Sequence, residues 1–227
     1  TVTRRRGKTI NNLRKSSRSM KLVVFGCNGV LLQHSIGAFK LLAEMAGKED
    51  EMQSLHEEYE KKKQEGPYGL TQLAQLFKGV PENQLRDYAT SIVQQRLQPQ
   101  ARTVINQLKS QDIIVACFSA NPKIVMDSLQ QELMFDEYCG TQLEFYDGQC
   151  TGKILQKVDR NIKAARVTQL MTKHNMLPKD VMIVGHTVSD LPMANHGQFY
   201  AIDPHEENVK EQAIEILNSL SDVPFHV

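Results

Sequence analysis

Hydrophobic and polar positions along this chain alternate between two patterns. Continuous apolar runs occur at Leu22-Val23-Val24-Phe25, Asp112 to Ala120 (DIIVACFSA), Val181 to Thr187 (VMIVGHT) and Phe199 to Ile202. The first three end in small or polar residues. Unbroken apolar runs of this length suit strands buried on both faces, as in a parallel sheet. Between them lie helical patterns at Ala101–Gln111, Pro122–Leu133, Ile162–His174 and Val209–Leu220. Alternating strand and helix predicts a doubly wound, Rossmann-like α/β fold. Ligands bind such folds at the carboxyl ends of the strands, where Gly26–Gly29, Ser119–Asn121 and Gly185–Asp190 converge.

Two inserts interrupt the alternation. Residues 34–98 contain no buried-strand run and read as a small helical subdomain. Its segments are SIGAFKLLAEMAG, EDEMQSLHEEYEKKKQEG, YGLTQLAQLFKG and PENQLRDYATSIVQQRL. The charged run Glu57–Lys63 is a solvated helix face with i,i+4 pairs. The second insert, Gly140–Ile154, reads as a hairpin turning at Asp147-Gly148. The expected organisation is a tail over 1–19, a core of 20–33 with 99–227, and a helical insert over 34–98.

Composition adds one asymmetry. The chain has 227 residues, 41% hydrophobic and 23% charged, as in ordinary globular proteins. The net charge is +1, yet residues 1–19 carry seven Lys or Arg and no acid, leaving the remainder at −6. The tail reads as a disordered basic leader, with a transit peptide as the alternative. Contact of the tail with nucleic acid or anionic lipid is a further reading, which the lack of aromatic residues disfavours. No apolar run approaches membrane-spanning length. Four cysteines without metal-ligand spacing fit reduced, buried thiols and a cytoplasmic protein.

The order of parts resembles the haloacid dehalogenase (HAD) superfamily, and within it the phosphoserine-phosphatase-like subfamily with a small helical cap. The resemblance rests on VVFGCNGVL, CFSANP, NIKAARVTQL, VMIVGHTVSDLPMANHG and the hairpin GTQLEFYDGQCTGKI. It implies the fold already read, with residues 34–98 as the cap. It also implies a chemistry: a first Asp attacks phosphorus, and a second, two residues on, works as general acid and base. Further acids at the fourth motif hold Mg²⁺, while a Ser or Thr and a Lys grip the phosphoryl oxygens.

Carried across residue by residue, most of the acids are gone. Gly26 stands at the nucleophile position, Asn28 at the acid/base position and His186 at the first fourth-motif acid. Asp190 remains. The grip persists in Ser119, Lys163, Asn121 and the backbone around Gly29. An intact site of this pattern has a formal charge of −3 before metal; here Asp190 and Lys163 cancel. Asp190 with His186 makes a poor Mg²⁺ site, since that ion needs hard oxygen ligands. Mg²⁺ is therefore implied only if the protein is active, and otherwise no cofactor. His186 as a substitute nucleophile approaches from the wrong strand end.

Each residue also has a plainer reading. Ser119 suits a cap of the following helix. Lys163 suits helix surface, and Lys153 and Lys157 compete for its role. Asp190 suits a helix N-terminus, and Cys27 a packed thiol. The subfamily's amino-acid-recognising positions fall near Ser35 and Ala74, neither of which pairs with a charge; Glu44 and Arg86 are nearby substitutes or plain surface charges. The expectation is a catalytically degenerate pseudo-phosphatase that binds a phosphorylated small molecule or a protein partner. The alternative is an active Mg²⁺-dependent phosphomonoesterase with altered ligands. A third reading is an adaptor that uses the basic tail. Loss of a nucleophile from a cooperating site costs about 10⁴- to 10⁶-fold in rate.

Overall fold

The computed structural model describes residues 20–33, 37–64 and 69–227. The basic tail, Ser35 and the first residues of the helical insert lie outside them. β1 (Leu22–Phe25) is fully buried and forms the middle of a seven-stranded sheet. The other strands are β2 (Ile114–Pro122), β3 (Glu137–Tyr146), β4 (Gln149–Gln156), β5 (Val181–Gly185), β6 (Gln198–Ile202) and β7 (Glu215–Leu217). Their spatial order is β4-β3-β2-β1-β5-β6-β7. All neighbours are parallel except β3 and β4, which are antiparallel.

The unbroken apolar runs have a simple cause. Val23 and Phe25 belong to one buried cluster, and Leu22 and Val24 to another on the opposite face. Successive side chains on a strand point to opposite faces, so both faces of β1 need apolar residues. Each fully buried Val, Leu or Phe stabilises by about 1.5–3 kcal/mol. One face is covered by α5 (Ala101–Lys109) and α6 (Lys123–Leu133). The other is covered by α7 (Arg160–Lys173), α8 (Leu191–Ala194) and α9 (Glu207–Gln212).

Four helices lie between β1 and α5: α1 (Ala38–Met45), α2 (Glu49–Lys62), α3 (Leu70–Gln75) and α4 (Glu82–Arg96). The two chain segments that lead into and out of this group run side by side. Gln33 N donates to Arg96 O at 2.6 Å, and Gln98 N to Leu31 O at 2.9 Å. The β3–β4 hairpin turns at Asp147 (φ 49) and Gly148 (φ 73). Two positive φ values match the right-handed strand twist, which is why Asp-Gly suits this turn.

The expected helix over Val209–Leu220 is corrected by the structure. The chain forms the short α9, turns extended at Ala213, adds β7 to the edge of β6, and ends in a 3-10 turn over Leu220–Phe225. The edge of β6 exposes backbone groups that need partners. Ile214 N reaches Phe199 O at 2.8 Å, and Leu217 is buried. The tertiary ladder outweighs the local helical pattern.

Candidate functional site

The loops after β1, β2 and β5 meet at one end of the sheet. They form the floor of a cavity of about 670 Å³, roofed by α1, α2 and the start of α3. Among the expected residues, Asn28, Ser119, Asn121, Lys163, His186 and Asp190 all line it. Gly29 does not. Its N–H is spent on Leu32 O at 2.9 Å, and its open face is filled by the His186 ring.

Asp190 and Lys163 form the electrostatic centre. The Lys163 ammonium donates to Asp190 Oδ1 at 2.7 Å and to Ser189 Oγ at 3.1 Å. Asp190 Oδ2 accepts from the amides of His186 at 3.0 Å and Thr187 at 3.3 Å. Both side chains are buried. Burial alone pushes the Asp190 carboxyl up, but the Lys163 charge and hydrogen bond, with the two amides, outweigh it and hold the pKa below the ordinary value. Lys163 is not surface: α7 starts where Asp159 accepts from Asn161 N at 2.9 Å and Ile162 N at 3.1 Å. That N-cap sets the register that aims Lys163 inward. Lys153 is exposed, and Lys157 pairs with Asp159 at 3.3 Å, so neither takes its place.

Gly26 lies outside the left-handed region, so its backbone tolerates a side chain. A Cβ there would come within 3.1 and 3.2 Å of the Asp190 oxygens. The position thus faces the one retained carboxylate and presents nothing to it. Asn28 is committed to Asn121. Asn28 Nδ2 donates to Asn121 Oδ1 at 3.1 Å, and Asn121 Nδ2 donates back to Asn28 Oδ1 at 2.9 Å. Asn121 Oδ1 also accepts from Ala38 N, at the start of α1, at 3.0 Å. Ser119 does not cap α6, whose N-cap is Pro122. Its Oγ accepts from Asn121 N at 3.1 Å instead, which leaves its own O–H free to donate. The amides of Cys27 and Asn28 make no hydrogen bond to the described residues.

His186 stands where the resemblance placed an acid. Its Nδ1 lies 2.8 Å from Ile202 O, and a carbonyl only accepts, so Nδ1 carries the proton. A Cβ on Gly29, at φ +73, would lie 2.3 Å from the ring. Among the described residues, His186 Nε2 is the buried side-chain atom left without a partner. Cys27, Cys117, Cys139 and Cys150 are buried free thiols. Burial raises Cys117 well above the ordinary thiol value and pushes Cys139 up to about 11, so both stay protonated near neutral pH.

Other expected positions are not brought to the cavity. Ala74 is packed in the core, and Arg86 pairs with Glu82 at 2.6 Å on an exposed face. Glu44 is exposed. Residues that sequence reasoning did not single out are Lys40, Arg160 and His205, and Tyr59, inside the run read as a solvated helix face, is instead half-buried; all four are on the cavity wall. None sits in a motif, and only the folding of α1 and α2 over the sheet collects them.

The family model for haloacid dehalogenase-like hydrolases matches residues 34–195. The chain belongs to this family. It is similar to the phosphoserine phosphatase of Archaeoglobus fulgidus, 29% identical over 77% of this chain and 49% of that one. It also resembles phosphoserine phosphatase SerB2 of Mycobacterium tuberculosis, 25% identical over 78% of this chain and 42% of that one. The chain therefore spans about half or less of these relatives' length. In architecture it matches a phosphoserine phosphatase in apo form, with a TM-score of 0.77 and 20% identity over 92% of this chain and 100% of the other. A phospho-aspartyl intermediate analogue of phosphoserine phosphatase gives a TM-score of 0.79 at 20% identity, over 92% of this chain and 99% of the other. The fold is thus that of HAD proteins of the phosphoserine-phosphatase type.

HAD phosphatases generally depend on Mg²⁺, so the donor set here can be tested for fit. Gly26 offers no oxygen from a side chain. Three directions on the Asp190 carboxylate are taken by an ammonium and two amides. His186 offers a soft nitrogen, and Mg²⁺ prefers hard oxygen donors in octahedral geometry. Among the described residues, no group of three His, Cys, Asp or Glu side chains is placed to hold a metal ion. The residues present do not fit the ion.

Proposed function

We propose that this HAD protein binds the phosphoryl group of a small phosphomonoester without cleaving it. The observation that carries the reading is the state of the two positions where acids do the chemistry. Gly26 has no nucleophile, and the Asn28 amide is locked to Asn121. An amide neither attacks phosphorus nor relays a proton. The groups suited to gripping an oxyanion are still gathered on the cavity floor. They are the Ser119 hydroxyl, the Lys163 ammonium and the amides of Cys27 and Asn28. The ligand is a phosphorylated small molecule; a phosphorylated protein segment is the other occupant expected for the same cavity. Among the described residues, no helix is long and apolar enough to cross a membrane. A cytoplasmic setting is part of this proposal.

A second reading, an active phosphomonoesterase, is favoured by the names of the relatives, which are phosphoserine phosphatases. One assay separates the two. Phosphoserine and p-nitrophenyl phosphate are offered with and without Mg²⁺, and released phosphate is measured. The expected result is no turnover above buffer, together with a raised melting temperature in inorganic phosphate plus EDTA. Chelator-sensitive turnover would establish the second reading in place of the first.

A further inference from the structure

The charge around the cavity is almost entirely paired. Asp190 is neutralised by Lys163 at 2.7 Å. Glu60 and Glu206, at the roof and the rim, share Lys63 at 2.8 and 3.2 Å. Asp159 is held by Lys157 and by two amides of α7. Among the described residues, each carboxylate on the wall already faces a lysine, and the two glutamates share one.

Lys40 is the exception. It lines the same cavity from α1 and is half-buried, and its ammonium makes no hydrogen bond or ion pair with the described residues. Its place is fixed from the floor. The Ala38 amide, two residues earlier, donates to Asn121 Oδ1 at 3.0 Å. A Cβ on Gly37 would lie 3.8 Å from Asn28 Nδ2. The first turn of α1 therefore abuts the loop after β1, where the amides of Cys27 and Asn28 stand without a partner among the described residues. That turn carries no acid to compete for the ammonium.

A phosphate dianion entering this floor meets a Lys163–Asp190 pair of net charge zero, in a chain whose donor set does not fit Mg²⁺. Shedding water from a dianion against a neutral, half-enclosed wall is costly unless a counter-charge comes within reach. We infer that Lys40 supplies that charge, as the phosphoryl-binding cation that stands in for a metal. The ligand is accordingly an anionic phosphomonoester that needs no ammonium group, rather than a phosphorylated amino acid. This inference rests on the binding reading given above.

The test is calorimetric titration of inorganic phosphate and phenyl phosphate, in EDTA, into the wild-type chain and the variants Lys40→Met and Lys40→Arg. Melting temperatures of the unliganded proteins are recorded alongside. Lys40→Met is expected to melt as wild type and to lose at least about tenfold in affinity, the worth of one charge-assisted hydrogen bond. Lys40→Arg, which keeps the charge, is expected to retain most of the binding. Phosphoserine is expected to bind no tighter than phenyl phosphate. Equal affinity of Lys40→Met and wild type would overturn the role of Lys40 and leave the binding reading standing. Loss in both variants would overturn charge as the reason. Failure of the wild-type chain to bind either probe without Mg²⁺ would overturn the binding reading itself.

Discussion

Lys163 and Asp190 hold each other at 2.7 Å with side-chain exposures of 3% and 6%, so neither ion is screened by water. Removing one partner strands the other charge. Asp190→Asn is expected to destabilise the protein by about 3–5 kcal/mol, whereas replacing both residues with apolar ones costs less. Chemical denaturation of the two variants checks this. The pH dependence has a definite sign. The folded pKa of Asp190 lies below its ordinary value of 3.8, so its contribution is complete above that value. It is lost as pH falls through the lower folded value. The melting temperature is expected to drop below about pH 4 in wild type and to drop less in Asp190→Asn. At this scale much was legible. The identities Gly26, Asn28 and His186 are written in the sequence, at positions where the family resemblance implies acids. The Asn28–Asn121 amide pair was not, because its members lie 93 residues apart. Nor was the disappearance of the Gly29 amide into Leu32 O, a turn detail that no residue type announces.

Among the elements, α7 shows how a local signal reaches the site. Asp159 satisfies two of the amides that every helix leaves open at its start. Asp159→Ala is expected to lower stability by about 1 kcal/mol. It also weakens phosphate binding, because Lys163 sits in the first turns that the cap fixes. Melting curves and phosphate titrations of this variant measure the two effects separately. The hairpin at Asp147-Gly148 and the four helices before α5 were legible, since turn chemistry and helical periodicity act over a few residues. The end of the chain was not. Val209–Leu220 has helical spacing, yet only Glu207–Gln212 is helical, because β6 offers an open edge that Ile214 to Leu217 fill. The plainer alternative for Ser119, a helix cap, likewise falls, because the strand runs on to Pro122.

Across the whole molecule, the cavity is closed by contacts between distant parts. Lys63 at the end of α2 reaches Glu206 at 3.2 Å, Arg160 donates to Lys63 O, and Asn208 Nδ2 donates to Gln64 Oε1 at 3.1 Å. Restoring acids tests how far charge governs this enclosure. In the triple variant Gly26→Asp, Asn28→Asp and His186→Asp, the side chain at position 26 starts 3.1 Å from an Asp190 oxygen. Three added negative charges then crowd the floor. The variant is expected to melt below wild type in EDTA and to recover with Mg²⁺, which wild type ignores; a scan of melting temperature against Mg²⁺ reads both. The sequence by itself determined the layered α/β architecture, the helical insert and the identities Gly26, Asn28 and His186 at the motif positions. Burial period, turn residues and motif order are all written within short stretches of chain. Only the tertiary structure decided which groups remain free. It paired Asn28 with Asn121, set the His186 ring over Gly29, consumed Asp190 with Lys163 and left the Lys40 ammonium without a partner among the described residues. Pairing depends on which side chains the fold brings within about 3 Å of one another, and a linear spacing does not encode that distance.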